Sequence, residues 1–595
     1  MTPLQLADLE GEGTSLRSRR FDDIYFQPDV GLAETEHVFL EGNRLKERFN
    51  AMPNGGQFVV GELGFGTGLN ILAVADLFQR HGPTEGGLHC WSVEGFPIPQ
   101  GKMRQILKMV AEHFPILSPL ATRLSTLYPT PRPGIWSCQL TPKIRLTINF
   151  TDVGTALSDV SFSADAWFLD GFSPAKNPDM WSPSIMEAVV AHTKPGGTLA
   201  SFTVAGAVRR ALANTGMTVK KAQGFGKKRD MLTASKPGPT CSPQPPIRRI
   251  AILGAGIAGT SLAWQASQMG LCPTLIDPNG PASGASGNPV GLIMPRIEAS
   301  LSPSAHLYRD AFLFALQFYQ DATPEALVPC GGTLLAGPDQ SERHRKVVAS
   351  GLWAESDLHL ADNCDLTIPA GATLKVADAV RTLAHDIHCI RDDIKKMQYT
   401  DNGIEISSDH EAHLFDAAVI CAGPNSAKYA ALNLDLRASR GQMDLFAGPV
   451  PSAITTQGTY IAAHNGHLAA GATYDDVPLD HQAIANTDST QRNREAAANL
   501  MGRDIGIPIA ARASVRAVTK DRHPIAGQVV DNLGTPIVPG RLFVLTGLGS
   551  RGLSTGPLLA AHVLSSICGG VSPIGLASVK FVAPERFATR RARAH

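Results

Sequence analysis

Residues 249–259 read RIAILGAGIAG, and residues 260–270 continue as TSLAWQASQMG. An apolar strand, Arg249–Leu253, therefore runs into a GxGxxG turn and then into a segment with helical spacing. A second strand, Pro273–Ile276, ends at Asp277. Glycines at these positions permit a tight turn and close approach of a pyrophosphate, and the acid accepts hydrogen bonds from ribose hydroxyls. The stretch predicts a dinucleotide-binding βαβ unit that begins at residue 249.

Two later glycine turns favour FAD over NAD as the dinucleotide. A strand at Asp416–Cys421 precedes Gly423, as in relatives of glycine oxidase and D-amino-acid oxidase. A strand at Arg541–Leu545 precedes the glycine-rich residues 547–552 and a helix predicted at Leu558–Ser565. Free N–H groups at a helix start stabilise negative charge on a reduced flavin ring.

The N-terminal half opens with a different glycine turn. The apolar strand Gln57–Leu63 is followed by GFGTG at 64–68 and by a helical segment, and the strand Leu88–Val93 ends at Glu94. With Glu62 before the glycines and Glu94 placed to bind a ribose, the pattern indicates S-adenosylmethionine. An NAD-type turn and a turn without a ligand are the alternatives.

Two acids follow later strands of this half. Asp152 comes after the strand Ile144–Phe150, where it could meet an adenine amino group. Asp170 ends the apolar strand Ala164–Asp170, at the edge where open α/β sheets bind ligands. A carboxylate there could orient an amine and take its proton. The alternative for Asp170 is a helix N-cap or a turn residue.

A proline-rich segment predicts where the chain divides. Residues 236–246 read KPGPTCSPQPP, with five prolines. We predict a domain at 1–235, a linker at 236–247 and a domain at 248–595. Within the second domain, we expect a substrate subdomain at about 300–410 and 437–515.

Composition limits the kinds of partner and compartment. The 595 residues carry 53 Lys+Arg against 53 Asp+Glu, so total charge does not imply a nucleic-acid partner, which would need local basic patches. The nine cysteines have no zinc spacing, so we expect no metal. We find no apolar run of about 18 residues and no secretory leader, so we expect no membrane segment and a cytoplasmic location.

Long motifs in both halves resemble one family, the bacterial bifunctional tRNA 5-methylaminomethyl-2-thiouridine biosynthesis proteins. In the N-terminal half the matching stretches are 21–45, 61–70, 165–181 and 224–232; in the C-terminal half they are 252–259, 282–296, 519–527 and 547–558. Thr151-Asp152-Val153 departs from the Gly-Asp-Ala usual in the family but keeps the acid. The match is poor over 300–410.

This resemblance implies two activities on the wobble uridine of tRNA. The FAD-dependent half would remove the carboxymethyl group from 5-carboxymethylaminomethyluridine, and the other half would then methylate the exposed amine. The implied fold is α/β: a Rossmann-like S-adenosylmethionine methyltransferase, then an FAD-binding Rossmann domain with an α+β substrate domain of the D-amino-acid/glycine oxidase type. We expect a monomer.

The resemblance and the motifs together predict the site residues. Asp170 would serve methyl transfer, and Arg551 would bind the glycine carboxylate of the substrate, with Arg516, Arg522 and Arg440 as alternatives. The predicted S-adenosylmethionine ligands are Glu62, Gly64, Gly66, Gly68, Glu94 and Asp152. The predicted FAD ligands are Gly254, Gly256, Gly259, Asp277, Ser286, Gly287, Asn288, Gly423, Gly547, Gly549, Ser550 and Gly552.

A basic run within the 224–232 motif is the predicted tRNA contact. It comprises Lys227, Lys228 and Arg229; the alternative is a solvated surface. Two other functions remain open from the sequence: a fused small-molecule glycine or sarcosine oxidase with a small-amine methyltransferase, and an RNA-binding module without enzymatic activity.

Overall fold

The computed structural model divides the chain into two compact units. It describes residues 4–10, 16–26, 30–226, 228–238, 247–337, 339–429, 434–448, 450–531 and 533–592. Unit 1 comprises Met1–Ile247, Gln268–Leu271 and Cys568–Leu576, and unit 2 comprises Arg248–Ser267, Cys272–Ile567 and Ala577–His595. Most of the predicted linker, residues 239–246, lies outside the described residues.

Unit 1 combines strands and helices, which alternate through much of its central part. Its strands are β1 Leu9–Glu10, β2 Leu16–Ser18, β3 Asp23–Phe26, β4 Gly56–Leu63, β5 Gly86–Val93, β6 Gly134–Thr141, β7 Ile144–Phe150, β8 Ala164–Leu169, β9 Thr193–Ser201, β10 Thr218–Gln223 and β11 Asp230–Ser235. Its helices are α1 Gly31–Thr35, α2 Leu45–Asn50, α3 Leu69–His81, α4 Gln100–His113, α5 Ser118–Leu127, α6 Val153–Ser158, α7 Pro183–Ala191 and α8 Gly206–Asn214, with a π-helical turn at Glu36–Glu41 and 3₁₀ turns at Pro115–Leu117 and Pro178–Trp181.

Eight of these strands form one sheet in the order β10-β11-β9-β8-β4-β5-β7-β6. The five strands from β9 to β7 are parallel. The chain builds outward from β4 to β5 and β7, then returns to add β8 and β9 on the other side of β4. The strand order therefore reverses between β4 and β8, and ligands bind beside such a reversal at the carboxyl ends of the strands.

Apolar clusters cover both faces of this sheet. Val60 belongs to one cluster and its neighbour Val59 to the other, as expected when successive side chains point to opposite faces. All seven residues of β7 are buried, including the polar ones. Hydrogen bonds account for two of these polar residues: Thr147 Oγ1 lies 2.9 Å from His89 Nε2, and Trp91 Nε1 donates to Asn149 Oδ1 at 3.0 Å.

Unit 2 contains the remaining elements. Its strands are β12 Arg249–Leu253, β13 Cys272–Ile276, β14 Gly291–Ile293, β15 Leu327–Pro329, β16 Gly332–Leu334, β17 His359–Leu360, β18 Leu366–Ile368, β19 Ala372–Leu374, β20 His388–Ile390, β21 Lys396–Thr400, β22 Gly403–Ser407, β23 Ala412–Phe415, β24 Ala417–Ile420, β25 Leu436–Phe446, β26 Ile454–Gln457, β27 Thr459–His464, β28 His467–Gly471, β29 Asp475–Val477, β30 Pro508–Thr519, β31 Ile525–Gln528 and β32 Leu542–Thr546. Its helices are α9 Ile257–Gln268, α10 Pro303–Ala322, α11 Ser341–Ala349, α12 Val376–Ala384, α13 Ser426–Tyr429, α14 Thr487–Met501, α15 Gly552–Cys568, α16 Leu576–Val582 and α17 Glu585–Ala592, with 3₁₀ turns at Ala285–Gly287, Pro324–Ala326, Gly423–Asn425 and Gly549–Arg551.

Two large sheets organise unit 2. The six-stranded sheet, in the order β20-β13-β12-β24-β32-β31, is parallel except for β31. The nine-stranded sheet follows the path β17-β18-β16-β26-β27-β28-β25-β29, and β30 pairs with β25. The strand β20 lies within the predicted substrate range 300–410 but pairs with β13 in the six-stranded sheet. The α/β fold class expected from the sequence is confirmed.

The helix predicted at Leu558–Ser565 begins earlier, at Gly552, and the prediction of its start is wrong. Pro557 lies inside α15. Proline leaves the carbonyl four residues earlier without its helical donor, but Tyr319 Oη donates to Leu553 O at 2.9 Å. A side chain from α10 thus replaces the lost hydrogen bond, and the helix continues through the proline.

No helix among the described residues is long and apolar enough to cross a membrane. The eight cysteines that the structure describes are all free.

Candidate active sites

The first glycine turn of unit 1 connects β4 to α3. Gly64, Gly66 and Gly68 have φ of 91°, 52° and 79°, a region that glycine adopts without strain. A Cβ on Gly64 would lie 3.3 Å from Gly171 Cα, so the turn packs closely against the segment after β8. The turn and Asp170 therefore meet at the strand-order reversal.

Glu94 lies beside this turn. Gly66 N donates to Glu94 Oε2 at 2.9 Å, and Phe96 N donates to Glu94 Oε1 at 2.9 Å. Burial raises the pKa of Glu94, against the effect of these two hydrogen bonds. Since each carboxylate oxygen can accept more than one hydrogen bond, Glu94 retains capacity for a ribose.

Asn70, which was not predicted from the sequence, joins the two other acids of the site, Glu62 and Asp170. Its Nδ2 donates to Glu62 Oε1 at 3.1 Å and to Asp170 Oδ2 at 2.8 Å, while Thr35 Oγ1 donates to its Oδ1 at 2.7 Å. Ser92 Oγ donates to Glu62 Oε2 at 2.6 Å. Asn70 is the one polar residue among the first seven of α3, and that signal could have identified it.

Glu62 and Asp170 differ in their surroundings. Glu62 is fully buried, which raises its pKa well above the ordinary value. Burial also raises the pKa of Asp170 to about 6, against hydrogen bonds from Asn70 and Gly171 N. The next helical turn begins at Pro178, so Asp170 is not a helix N-cap. A carboxylate with this pKa is ionised at neutral pH and is a stronger base than an ordinary aspartate.

The other site residues predicted in unit 1 are Asp152 and the basic run at 227–229. Asp152 caps α6, where its side chain accepts from Thr155 N at 2.9 Å. Lys228 Nζ lies 2.8 Å from Glu34 Oε1 and 4.6 Å from the ring centroid of Phe202. Lys228 is also close enough to lower the pKa of Asp170. Arg229 is exposed, and Lys227 lies outside the described residues.

The glycine turn of unit 2 connects β12 to α9. A Cβ on Gly259 would lie 1.9 Å from Gly254 O, and one on Gly254 would lie 2.5 Å from Cys421 O. Both positions therefore require glycine. Asp277 Oδ2 accepts from Ala255 N at 2.9 Å, so the acid at the end of β13 also holds the turn. Gly423 starts the 3₁₀ turn after β24.

A cavity of about 430 Å³ opens at the start of α9. Ser286 lines it and accepts from Ile257 N through Oγ at 2.9 Å. Asn288 also lines it, and its buried Oδ1 has no hydrogen-bond partner within the described part of the chain. The predicted residues that line the cavity are Ser286, Asn288, Gly549, Ser550, Arg551 and Gly552. Its glycines, helix start and polar groups suit a dinucleotide with an attached ring system.

Two of the four candidate arginines line this cavity. Arg551 is half-buried, and its Nη1 donates to Met294 O at 3.3 Å. Arg516 Nη2 donates to Thr473 O at 3.0 Å, and its guanidinium lies 4.7 Å from the ring centroid of Tyr474. A Cβ on Gly441 would lie 1.4 Å from Arg516 Nη2, so that glycine leaves room for the guanidinium.

The other two arginines do not line the cavity. Arg440 is buried in a network behind it and donates to Asp475 Oδ2, Ser489 Oγ and Gln442 Oε1, each at 3.0 Å. Arg522 is exposed. Of the four candidate arginines, Arg551 and Arg516 therefore line the cavity, whereas Arg440 and Arg522 do not.

Several residues of this cavity were not predicted from the sequence. Arg296 lines it, and its Nη1 donates to Tyr308 Oη at 3.3 Å. Tyr460 and Tyr474 line it from the nine-stranded sheet and the residues after β28. Arg296 ends the family-like stretch 282–296, and that motif could have identified it. Tyr460 and Tyr474 lie outside all the matching stretches, so the sequence gives no signal for them.

Comparison with known proteins found similarity along nearly the whole chain. Residues 115–237 match a family model described as S-adenosyl-L-methionine-dependent methyltransferase, and residues 249–565 match one described as FAD dependent oxidoreductase. The tRNA 5-methylaminomethyl-2-thiouridine biosynthesis bifunctional protein of Maricaulis maris is 35% identical, over 97% of this chain and 95% of its own length. The protein of that name from Caulobacter sp. (strain K31) is 36% identical, over 96% of both chains.

A crystal structure of glycine oxidase from Geobacillus kaustophilus is also similar. Its TM-score is 0.45 at 19% identity, and the alignment covers 54% of this chain and 95% of that chain.

Proposed function

This chain belongs to the family of tRNA 5-methylaminomethyl-2-thiouridine biosynthesis bifunctional proteins, and from that premise we propose how its two units divide the work. Unit 2 removes the carboxymethyl group from 5-carboxymethylaminomethyluridine at the wobble position of tRNA: oxidation of the glycine carbon–nitrogen bond gives an imine, and water hydrolyses the imine to the primary amine and glyoxylate. Unit 1 then methylates that amine. The observation that carries this proposal is the match over nearly the full length of both chains. It favours tRNA over free glycine or sarcosine as the substrate.

The chain is an S-adenosylmethionine-dependent methyltransferase fused to an FAD-dependent oxidoreductase. Bound FAD supplies the oxidising power for the carbon–nitrogen bond, and bound S-adenosylmethionine supplies the methyl group. Glu94 and the turn at 64–68 would hold the methyl donor. Asp277, the turn at 254–259 and Asn288 would hold the flavin nucleotide, because glycine is required at Gly254 and Gly259 and Asn288 Oδ1 is buried in the cavity.

Recognition in unit 2 requires a cation for the glycine carboxylate of the substrate. Arg551 adjoins the glycine turn of residues 547–549 and lines the cavity, so we assign it this contact. A guanidinium can pair with a carboxylate through two parallel hydrogen bonds. Arg516 and Tyr474 line the same cavity and would contact the rest of the substrate.

Methyl transfer in unit 1 requires a neutral amine. A lysine-like amine with a pKa of about 10.4 is protonated at neutral pH, so a base must accept its proton before or during the transfer. Asp170 has the position and the raised pKa for this role. Asn70 holds its carboxylate in place, and Glu62 anchors Asn70 from the buried side.

The first experiment is incubation of the purified protein with tRNA carrying 5-carboxymethylaminomethyluridine. We expect 5-aminomethyluridine without S-adenosylmethionine and 5-methylaminomethyluridine with it, identified by mass spectrometry of the nucleosides. Unchanged nucleoside from a folded, flavin-containing protein, together with oxidation of free sarcosine or glycine, would instead establish the small-molecule alternative.

Replacing Asn70 with alanine is expected to shift the pH dependence of methylation. Its hydrogen bond lowers the pKa of Asp170, so its loss raises that pKa further above about 6. The acid limb of the rate profile should then move to higher pH, measured as the midpoint of the methylation rate between pH 5 and 8. Thr35→Val, which removes only the donor to Asn70 Oδ1, should produce a smaller shift in the same direction. An unchanged midpoint in both Asn70→Ala and Thr35→Val would show that the group whose protonation limits the methylation rate is not Asp170.

Neutralising Lys228 and Arg229 is expected to weaken tRNA binding and its salt dependence. A plot of log K for tRNA binding against log salt concentration has a negative slope, and each lost phosphate contact should make that slope less steep by about 1. Arg229→Gln tests the contact alone, because Lys228 also faces Glu34 and influences Asp170. Fluorescence anisotropy at several salt concentrations measures the slope. The control is Lys108→Gln on α4, whose side chain is 80% exposed; equal slopes for this control and Arg229→Gln would contradict the assignment.

A further inference from the structure

Three phenylalanines and an arginine, here called the aromatic cluster, converge in unit 1. The rings of Phe21 and Phe172 are stacked with centroids 4.5 Å apart, and the rings of Phe21 and Phe96 are arranged edge to face with centroids 5.3 Å apart. Arg20 Cζ lies 4.5 Å from the ring centroid of Phe96. All three rings are half-buried, and Arg20 is exposed. The cluster thus presents aromatic and cationic groups at the surface.

The cluster adjoins both ligand-binding acids of unit 1. Phe96 follows Glu94 by two residues, and its N–H donates to Glu94 Oε1 at 2.9 Å. Phe172 follows Asp170 by two residues, and its carbonyl accepts from Trp181 Nε1 at 2.9 Å. Two of the rings are therefore fixed next to the acids that we assign to the methyl donor and to the amine. Phe21 comes from the turn between β2 and β3, in a motif that neither cofactor explains.

We propose that the aromatic cluster is the stacking site for the wobble uracil during methyl transfer. This inference rests on the proposed function and adds the contact that holds the base. A wobble base must leave its stack to reach an enzyme site, and stacking on aromatic side chains and arginine planes compensates for the lost neighbours. The reactive amine is joined to the uracil ring by one methylene group, so a base held beside Asp170 presents its amine to that carboxylate.

Phe21→Leu and Phe21→Tyr are the variants that test this site. Phe21 contacts the loops that carry Glu94 and Asp170 only through its ring, and it supplies none of the hydrogen bonds to these two acids. Both acids therefore keep their hydrogen bonds in these variants. Leucine retains apolar packing without an aromatic face, whereas tyrosine retains the face. The ligand is an anticodon stem-loop with 5-aminomethyluridine at the wobble position, compared with the same stem-loop with an abasic residue there.

Phe21→Leu should weaken binding of the modified stem-loop about five- to tenfold, by the same factor at low and high salt, because stacking is not an ionic contact. Phe21→Tyr should bind within about twofold of the unchanged protein. The abasic substitution should weaken binding to the unchanged protein and to Phe21→Tyr but add nothing to the loss in Phe21→Leu. Dissociation constants for S-adenosylmethionine should be the same in all three proteins.

Several results would overturn the proposal. Independent, additive losses from Phe21→Leu and the abasic residue would place the base elsewhere. Weaker S-adenosylmethionine binding in Phe21→Leu would assign the cluster to the adenine of the methyl donor. Equal losses of stem-loop affinity in Phe21→Leu and Phe21→Tyr would show that the ring of Phe21 serves only local packing. Methylation of the modified stem-loop by the wild-type protein, measured by mass spectrometry, tests the proposed function independently of these binding measurements.

Discussion

Asp170→Asn is expected to lower the rate of methyl transfer about 10²- to 10⁴-fold, the usual contribution of a general base. Asparagine has nearly the same shape but cannot accept the proton of the amine. In the unchanged protein the rate should fall as the pH falls through about 6, because Asp170 becomes protonated there. Single-turnover methylation of tRNA carrying 5-aminomethyluridine, measured between pH 5 and 8, gives both results.

A folding control and a control variant accompany the Asp170→Asn measurement. Binding of S-adenosylmethionine and oxidation by unit 2 should persist, which shows that the variant is folded. Asp179→Asn removes an exposed carboxylate from the segment after the same strand and should keep the normal rate. A normal rate of methyl transfer in Asp170→Asn would show that Asp170 is not the base and that water accepts the proton of the amine.

Arg551→Ala is expected to reduce kcat/KM for the carboxymethylaminomethyl substrate about 30- to 3000-fold. Leaving a buried carboxylate without its charged partner costs about 2–5 kcal/mol, and each 1.4 kcal/mol corresponds to about tenfold. Methylation of tRNA that already carries the 5-aminomethyl group should be unchanged, because that step belongs to unit 1. Product formation by mass spectrometry separates the two steps on one tRNA preparation.

The control variants decide between the candidate arginines. Arg522→Ala removes an exposed arginine outside the cavity and should leave the oxidation unchanged. Arg516→Ala should have a smaller effect than Arg551→Ala. The opposite order would assign the carboxylate to Arg516. Flavin content, measured by absorbance, must be equal in all variants, since Arg551 adjoins a glycine turn predicted to contact the flavin.

The local motifs could be recognised from sequence because each depends on neighbouring residues. The strand Arg249–Leu253 and the strand Ile144–Phe150 have the predicted bounds. Most glycines of the two turns have a positive φ or a close contact that disfavours a side chain, as Gly259 illustrates with its approach to Gly254 O. Asp170 directly follows the central strand β8, as the apolar run before it predicted.

Other features depended on residues distant in sequence. The helix α15 runs through Pro557, and Tyr319 from α10 donates the hydrogen bond that the proline cannot supply to Leu553 O. Asn70 joins two acids that lie 8 and 100 residues away along the chain. Arg440, a candidate ligand by its proximity to motifs, is occupied by a buried polar network behind the cavity.

The sequence by itself determined the fold class, the two cofactor classes and the acids at the strand ends, because strand periodicity, glycine turns and terminal acids are encoded within short stretches. Only the tertiary structure decided which arginines line the cavity, how Asn70 connects Glu62 with Asp170, and that Phe21 meets Phe96 and Phe172. The physical reason is that strand order and loop packing bring these groups together, and side-chain contacts between distant segments leave no periodic pattern in the sequence.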